Sequence, residues 1–84
     1  MNFFCTAPQA QSVSLVGDFN EWDPKAHPMK QEPDGVWFLK VELHHGHHRY
    51  AFQVDGVLTL DPMAQGITRN DAGERVSLVP VSGF

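Results

Sequence analysis

A turn that ends in tryptophan constrains the fold of this chain more than any other feature. The run Gly17-Asp18-Phe19-Asn20-Glu21-Trp22 follows residues 12–16, whose polar and apolar side chains alternate as in a half-buried strand. Gly17 tolerates a positive φ, and the side chains of Asp18 and Asn20 can accept hydrogen bonds from nearby amides. The sequence therefore predicts a strand, a rigid turn and a flat aromatic side chain, Trp22, presented by that turn.

Short alternating segments separated by turn residues make up the rest of the chain. The other predicted strands are residues 2–5, 28–31, 36–43, 48–55, 57–60 and 75–81. Asp34-Gly35 and Asp55-Gly56 are hairpin signals, and Gly46 is expected to reverse the chain between two strands. Residues 61–74 are expected to form the longest loop. About seven short strands at near-regular spacing, with no long helix, predict an all-β sandwich with antiparallel strands.

Alternation along two of these strands divides their side chains between two faces. The side chains predicted to point inward are Trp37, Leu39, Val41, Leu43, Tyr50, Phe52 and Val54. Those predicted to point outward are Val36, Phe38, Lys40, Glu42, Arg49, Ala51 and Gln53. Trp37 is therefore expected to belong to the core, unlike Trp22.

Composition excludes several classes of protein. The 84 residues form one predicted domain, 1–84, and 42% of them are hydrophobic, which is enough for a core. The net charge is −4 and the six Lys and Arg residues are scattered, which argues against a nucleic-acid partner. No apolar run reaches the roughly 18–20 residues that span a bilayer, and no signal peptide is recognisable. Cys5 is the single cysteine and is expected in the core, so we expect a cytoplasmic protein without disulfides or membrane contact.

The order of the motifs resembles a known family. G-D-F-N-x-W lies at residues 17–22, G-x-W at 35–37, H-x-Y-x-F-x-V-D-G at 48–56 and D-P at 61–62. This order resembles the family 48 carbohydrate-binding modules, which include the glycogen-binding domain of the AMP-activated protein kinase β subunit and N-terminal domains of branching and debranching enzymes. The resemblance covers roughly residues 2–81. It implies an immunoglobulin-like, early-set β-sandwich and a non-catalytic module that binds α-glucans such as glycogen or starch.

The resemblance also implies where a sugar binds. Trp22 matches the tryptophan that stacks on the glucan, and we expect Asn20 and Glu21 beside it to supply polar contacts. Three other family determinants are replaced. Val57 and Leu58 stand where a second tryptophan is typical, Ala51 replaces a lysine, and Val76 replaces an asparagine. Binding is therefore expected to be lost or millimolar, which corresponds to about −4 kcal/mol.

Several alternatives stand beside this interpretation. In the first alternative, Trp22 folds back to seal the edge of the sandwich and binds no ligand. Phe38, Arg49 and Gln53, on outward faces, are a hypothetical substitute sugar site. A domain that kept the fold and lost the sugar site would be a protein-interaction or regulatory module, with a glucan-metabolising enzyme or a kinase as its partner. The apolar pairs Val36-Phe38 and Val57-Leu58 would suit such a contact.

A histidine-based metal binder is a third, less favoured alternative, and a catalytic site made of carboxylates is not expected. His44, His45, His47 and His48 surround Gly46, and one tight turn is a poor frame for a tetrahedral metal site. The aspartates lie beside Gly, Pro or Asn, where carboxylates usually cap turn amides instead of forming a glycosidase pair. We therefore expect no catalytic residues, no metal and no cofactor.

Overall fold

The computed structural model describes residues 1–81, and these residues form eight strands and no helix. The strands are β1 (Asn2–Thr6), β2 (Val13–Gly17), β3 (Lys30–Gln31), β4 (Val36–Lys40), β5 (Gly46–Val54), β6 (Val57–Thr59), β7 (Gly66–Arg69) and β8 (Arg75–Val81). All pairings between them are antiparallel. The described residues contain no helix that could cross a membrane. The prediction of an all-β, immunoglobulin-like sandwich is confirmed.

The strands divide between two sheets that pack face to face. In residues 1–81 the small sheet has the order β1-β4-β3, and the large sheet has the order β2-β5-β8-β7, with β6 beside the end of β5. β5 is the centre of the large sheet because β2 pairs along one edge while β8 and β6 share the other. Side chains presented by β2, β5, β6 and β8 therefore meet on one surface.

The connection between β4 and β5 differs from the sequence prediction. Gly46 was expected to form a hairpin turn, but β4 belongs to the small sheet and β5 to the large one. Residues 41–45 therefore cross from one sheet to the other. β4 ends at Lys40 instead of residue 43 because its partner β1 begins at Asn2, which pairs with Lys40.

The hydrophobic core lies between the two sheets and follows the predicted alternation. The buried core residues are Phe3, Cys5, Val13, Leu15, Met29, Trp37, Val41, Tyr50, Phe52 and Val79. Trp37 is buried and its Nε1 donates a hydrogen bond to the carbonyl of Ala7 at 2.9 Å. Cys5 is buried as predicted, and burial, followed by the charge of Asp61, raises the pKa of its thiol. The core assignment of both residues is confirmed.

The predicted long loop contains a strand that the sequence interpretation missed. β7 lies within residues 61–74 and, among residues 1–81, pairs only with β8, from Gly66–Leu78 to Arg69–Arg75. Because β7 ends at Arg69 and β8 begins at Arg75, residues 70–74 form a tight connection between the two strands. The connection lies beside the outer face of the large sheet. This connection brings polar side chains to the surface described next.

Candidate functional site

The turn that presents Trp22 is fastened to the middle strand of the large sheet. Oδ2 of Asp18 accepts a hydrogen bond from the amide of Arg49 at 3.0 Å, and the amide of Asp18 donates to the carbonyl of Arg49 at 3.0 Å. Oδ1 of Asp18 lies 3.1 Å from Nδ1 of His48. The carboxylate of Asp18 is thus used within the fold and fixes the start of the turn.

Asn20 fastens the same turn from inside. Its Oδ1 accepts from the amide of Gly17 at 3.0 Å, and its Nδ2 lies 3.0 Å from the carbonyl of Leu15 and 2.8 Å from Nδ1 of His27. Both polar atoms of the side chain are therefore engaged. Asn20 therefore builds the turn, and its contact with sugar stays a prediction.

The backbone at the end of the turn takes a rare conformation. Glu21 and Trp22 both have φ of 59°, in the left-handed region that residues with a Cβ seldom adopt. The amide of Trp22 donates to the carbonyl of Gly17 at 3.0 Å, which closes the turn. Strained backbone of this kind persists only where the surrounding structure holds it, and it clusters at functional sites. The side chain of Glu21 is exposed next to Trp22.

Trp22 lies on an apolar part of the outer face of the large sheet. A second cluster of buried residues, Val16, Ala51 and Val76, is packed against by Trp22 and Leu58, and we call these five residues the Trp22 patch. Ala51 points outward as predicted, but it is fully buried because it lies within this cluster. Three of the positions where family determinants are replaced, Ala51, Leu58 and Val76, are thus brought together with Trp22, and all three are apolar.

A polar rim borders the Trp22 patch. Trp22, Val16 and Leu58 line a shallow pocket of about 300 Å³ together with Gln53, Gly56, Asn70 and Glu74. Gln53 is the direct cross-strand neighbour of Leu58. Asn70 and Glu74 belong to the β7–β8 connection, and sequence reasoning missed them because β7 was taken as loop. The turn signal Asn70-Asp71-Ala72-Gly73 is the one feature that could have indicated them.

Of the three residues of the hypothetical substitute sugar site, Arg49 lies on the same strand face as Gln53, whereas Phe38 lies in the other sheet. Arg49 shares the outer face of β5 with Gln53, and its guanidinium donates to the carbonyl of Arg69 at 3.1 Å and lies 3.9 Å from Asp71. Phe38 belongs to the small sheet, where its ring lies 5.2 Å from that of Phe4. The structure therefore does not bring Phe38 together with Gln53 and Arg49.

His48, one member of the histidine cluster, is already bonded within the fold through both ring nitrogens. Nδ1 of His48 contacts Asp18, and its Nε2–H donates to the carbonyl of His44 at 2.8 Å. Within residues 1–81 no three His, Cys, Asp or Glu side chains are arranged to hold a metal ion.

Comparison with known proteins supplies a family. Residues 1–64 match the model of carbohydrate-binding module 48 (isoamylase N-terminal domain). A 1,4-alpha-glucan branching enzyme GlgB 2 of Xanthomonas campestris pv. campestris is 40% identical over 70 residues, which are 77% of this chain and 10% of that protein. The branching enzyme GlgB of Lactobacillus acidophilus is 51% identical over 63 residues, which are 69% of this chain and 10% of that protein.

These relatives are much longer proteins. The chain spans about a tenth of their length. The matched region includes the Trp22 turn and β1 to β6, whereas β7, β8 and the connection between them lie beyond it. On the family match and these identities, the chain belongs to the carbohydrate-binding module 48 family.

Proposed function

We propose that this domain binds α-1,4-linked glucan chains through the Trp22 patch and is a non-catalytic module of glucan metabolism. The family description supports carbohydrate binding, and the relatives named above are 1,4-alpha-glucan branching enzymes. The glucan ligand of this chain, its partner enzyme and its role in glucan metabolism are all proposed.

The presentation of Trp22 is the observation that carries the proposal. The polar side chains of the turn are already bonded within the fold, because Asp18 bonds to β5 and Asn20 bonds to β2 and His27. Trp22 is held in a left-handed conformation at its end and remains partly exposed over a pocket. A glucose ring has an apolar face of C–H bonds that stacks on an indole, while its hydroxyls reach polar neighbours. The patch and its rim offer both kinds of contact.

Affinity is expected to be low. One aromatic platform and an apolar floor supply a small part of a binding free energy once ordering costs are subtracted. The positions of the family's lysine, asparagine and second tryptophan are occupied by Ala51, Val76 and the Val57-Leu58 pair. We therefore expect dissociation constants in the millimolar range, about −4 kcal/mol.

The aspartates support a module without catalysis. Asp55 Oδ1 accepts the amides of Gln11 and Ser12 at 2.9 Å each, and Asp23 Oδ1 accepts the amide of Lys25 at 2.9 Å. Asp61 Oδ1 accepts the amide of Met63 at 2.9 Å. These carboxylates hold turns, which is the role that their neighbours in the sequence predict.

Titration of the purified domain with β-cyclodextrin and maltoheptaose, followed by tryptophan fluorescence, tests the proposal. Saturable quenching should disappear in Trp22→Ala and persist in Trp37→Phe, because Trp37 is buried between the sheets. No response up to about ten millimolar ligand, where binding is worth only a few kcal/mol, would overturn glucan binding.

A second candidate function is docking against a protein partner, a glucan-metabolising enzyme or a kinase. Phe4, Met63 and Ile67 are 56%, 86% and 55% exposed, and all three line an open apolar cleft of about 620 Å³. Exposed apolar surface of this kind marks interaction sites.

Retention on an amylose column that depends on Trp22 supports the first function. Association with an enzyme that survives Trp22→Ala and fails in Phe4→Ser supports the second.

A further inference from the structure

His27 supports the turn that presents Trp22, and its own backbone is fixed. The carbonyl of His27 accepts a hydrogen bond from the amide of Leu15 at 2.9 Å, and the next residue forms an isolated bridge to the same strand, β2. The imidazole is half-buried, with its ring centroid 5.8 Å from that of Phe19 in the turn. The ring of His27 therefore has a defined position beside the turn.

Asn20 determines which nitrogen of His27 carries the proton. The side-chain oxygen of Asn20 accepts from the amide of Gly17, and its Nδ2 donates to the carbonyl of Leu15. These two backbone contacts fix the orientation of the side-chain amide. Its Nδ2 lies 2.8 Å from Nδ1 of His27, and because an NH2 group only donates, Nδ1 must accept. His27 is consequently the neutral tautomer with its proton on Nε2.

Protonation of His27 at Nδ1 is incompatible with this arrangement. The new Nδ1–H would point at Nδ2 of Asn20, so that two donors would face each other. Rotation of the Asn20 amide by half a turn would not remove the conflict. Its NH2 group would then face the amide of Gly17, and its oxygen would face the carbonyl of Leu15. A charged His27 therefore has to move away from Asn20 or break the contacts that close the turn.

Loss of the Asn20 contacts reaches Trp22 through one residue. The amide of Gly17 donates to Asn20, and the carbonyl of Gly17 accepts from the amide of Trp22 at 3.0 Å. Trp22 has φ of 59°, a conformation that persists only where the surrounding structure holds it. The position of the indole therefore depends on the neutral form of His27.

The charged groups around His27 do not compensate a charge on its ring. Among residues 1–81 the ion pairs join His48 with Asp18 and Arg49 with Asp71, so His27 has no carboxylate partner in this part of the chain. β2, which lies beside His27, carries no charged side chain. The charged side chains of the end of the turn and of the segment before His27 are exposed to solvent: Glu21, Asp23 and Lys25.

His48, on the other side of Phe19, has the opposite preference. Its Nδ1 lies 3.1 Å from Oδ1 of Asp18, and its Nε2 lies 2.8 Å from the carbonyl of His44. Both partners are acceptors, so an imidazolium, which donates from both nitrogens, satisfies them better than a neutral ring does. Acid therefore strengthens the contact at the start of the turn and disrupts the one that His27 makes.

We propose that neutral His27 is a positioning residue for glucan binding, acting on Trp22 through Asn20, and that glucan affinity falls as His27 becomes protonated. This inference rests on the proposed function, to which it adds regulation by pH. Histidine changes its charge between about pH 5 and pH 8. Because the closed turn needs the neutral ring, the binding that His27 supports is complete at the alkaline end of this range and is lost as the pH falls.

The affinity of the whole domain for β-cyclodextrin, measured between about pH 8 and pH 5, tests the inference. The wild type should bind about three- to tenfold more weakly at the acid end, which is the effect of one lost hydrogen bond. His27→Asn offers an oxygen in place of Nδ1 and cannot be protonated, so its affinity should change by less than about twofold over this range. A merely structural role of His27 would lower the affinity of the variant equally at every pH.

His48→Asn is the matched control. It removes the other histidine that contacts Phe19, and its amide can still donate to Asp18. Because His27 is intact in this variant, the loss of affinity in acid should persist.

Nuclear magnetic resonance of the ligand-free wild type reads the ring of His27 directly. Two-bond proton–nitrogen correlations, assigned through the backbone of His27, should show an unprotonated Nδ1 and a protonated Nε2 at about pH 8. A proton on Nδ1 at this pH, or the same pH dependence of affinity in the wild type and His27→Asn, would overturn this inference and leave glucan binding standing. Failure of the wild type to bind at any pH would overturn the proposed function and the pH effect together.

Discussion

The hydroxyl of Tyr50 donates a hydrogen bond of 2.6 Å to Oδ2 of Asp61, across the inner face of the large sheet. The amide of Asp61 in turn donates to Oγ of Ser77 at 2.9 Å, and Ser77 is the cross-strand partner of Tyr50. Two motifs of the sequence, the tyrosine of β5 and the Asp-Pro that follows β6, are therefore one structural unit. This unit anchors residues 61–65, which lead into β7, the strand that sets the position of the rim.

Tyr50→Phe should lower stability by about 1–3 kcal/mol, because Asp61 loses the donor that satisfies its partly buried carboxylate. The variant should also lose less stability than the wild type as the pH becomes alkaline. Burial, then the hydrogen bond and the charge of Asp61, raise the pKa of Tyr50 well above its ordinary value. The stability from this neutral phenol is complete below pH ~10 and is lost as pH rises toward the folded-state pKa.

Urea unfolding of both proteins between neutral pH and about pH 11 measures this effect. Tyr50 is the single tyrosine, so the ultraviolet absorbance of tyrosinate in the native protein titrates this group alone. Parallel loss of stability above pH ~10 in both proteins, or a tyrosinate signal with an ordinary midpoint, would contradict the assignment.

Gly17→Ala should destabilise the domain by about 1–3 kcal/mol through overpacking. A Cβ at Gly17 would lie 2.5 Å from Cε1 of Phe19 and 2.6 Å from the carbonyl oxygen of Arg49. Gly66→Ala is the matched control, because its Cβ would meet nothing closer than 3.5 Å in β7. Thermal unfolding of the two variants checks the expectation, and equal midpoints would show that the turn accommodates a methyl group.

The sequence predicted the parts of the fold that depend on local pattern. Alternation placed Trp37 and Tyr50 in the core, and both are buried. Asp55 and Gly56 were predicted to form a hairpin turn, and both have positive φ there. Alternation also gave the direction of Ala51, but not its burial, since the covering side chain of Trp22 comes from a turn far away in sequence.

Features that depend on partners distant in the chain were not predictable. β7 is a four-residue edge strand with Ile67 and Arg69 exposed, so its own residues carry too weak a signal to separate it from loop. Without β7 the position of Asn70 and Glu74 beside Trp22 could not be inferred. The crossing from β4 to β5 was missed for a similar reason, because one glycine cannot indicate whether a chain returns to its own sheet.

Asn20→Ala should lower stability by about 1–3 kcal/mol, because it removes the contacts of one side chain to Gly17, Leu15 and His27. It should also weaken β-cyclodextrin binding, since the turn would no longer hold Trp22 in its left-handed conformation. Chemical unfolding and the fluorescence titration together separate two roles for this residue. A variant of unchanged stability with weakened binding would make Asn20 a direct sugar contact, as the sequence suggested, instead of a positioning residue.

Leu58→Trp should strengthen glucan binding by about five- to tenfold, because a second aromatic surface would stand in the Trp22 patch. Leu58 already packs against the same buried cluster as Trp22 and lines the same pocket, so an indole at this position would face the ligand. Val57→Trp is the control. Residues 57 and 58 point to opposite faces of β6, so this variant adds the same side chain away from the patch. Isothermal titration with maltoheptaose should show a gain in Leu58→Trp alone. An equal gain in both variants would mean that added aromatic surface anywhere on the domain attracts glucan, and that the position beside Trp22 has no special role.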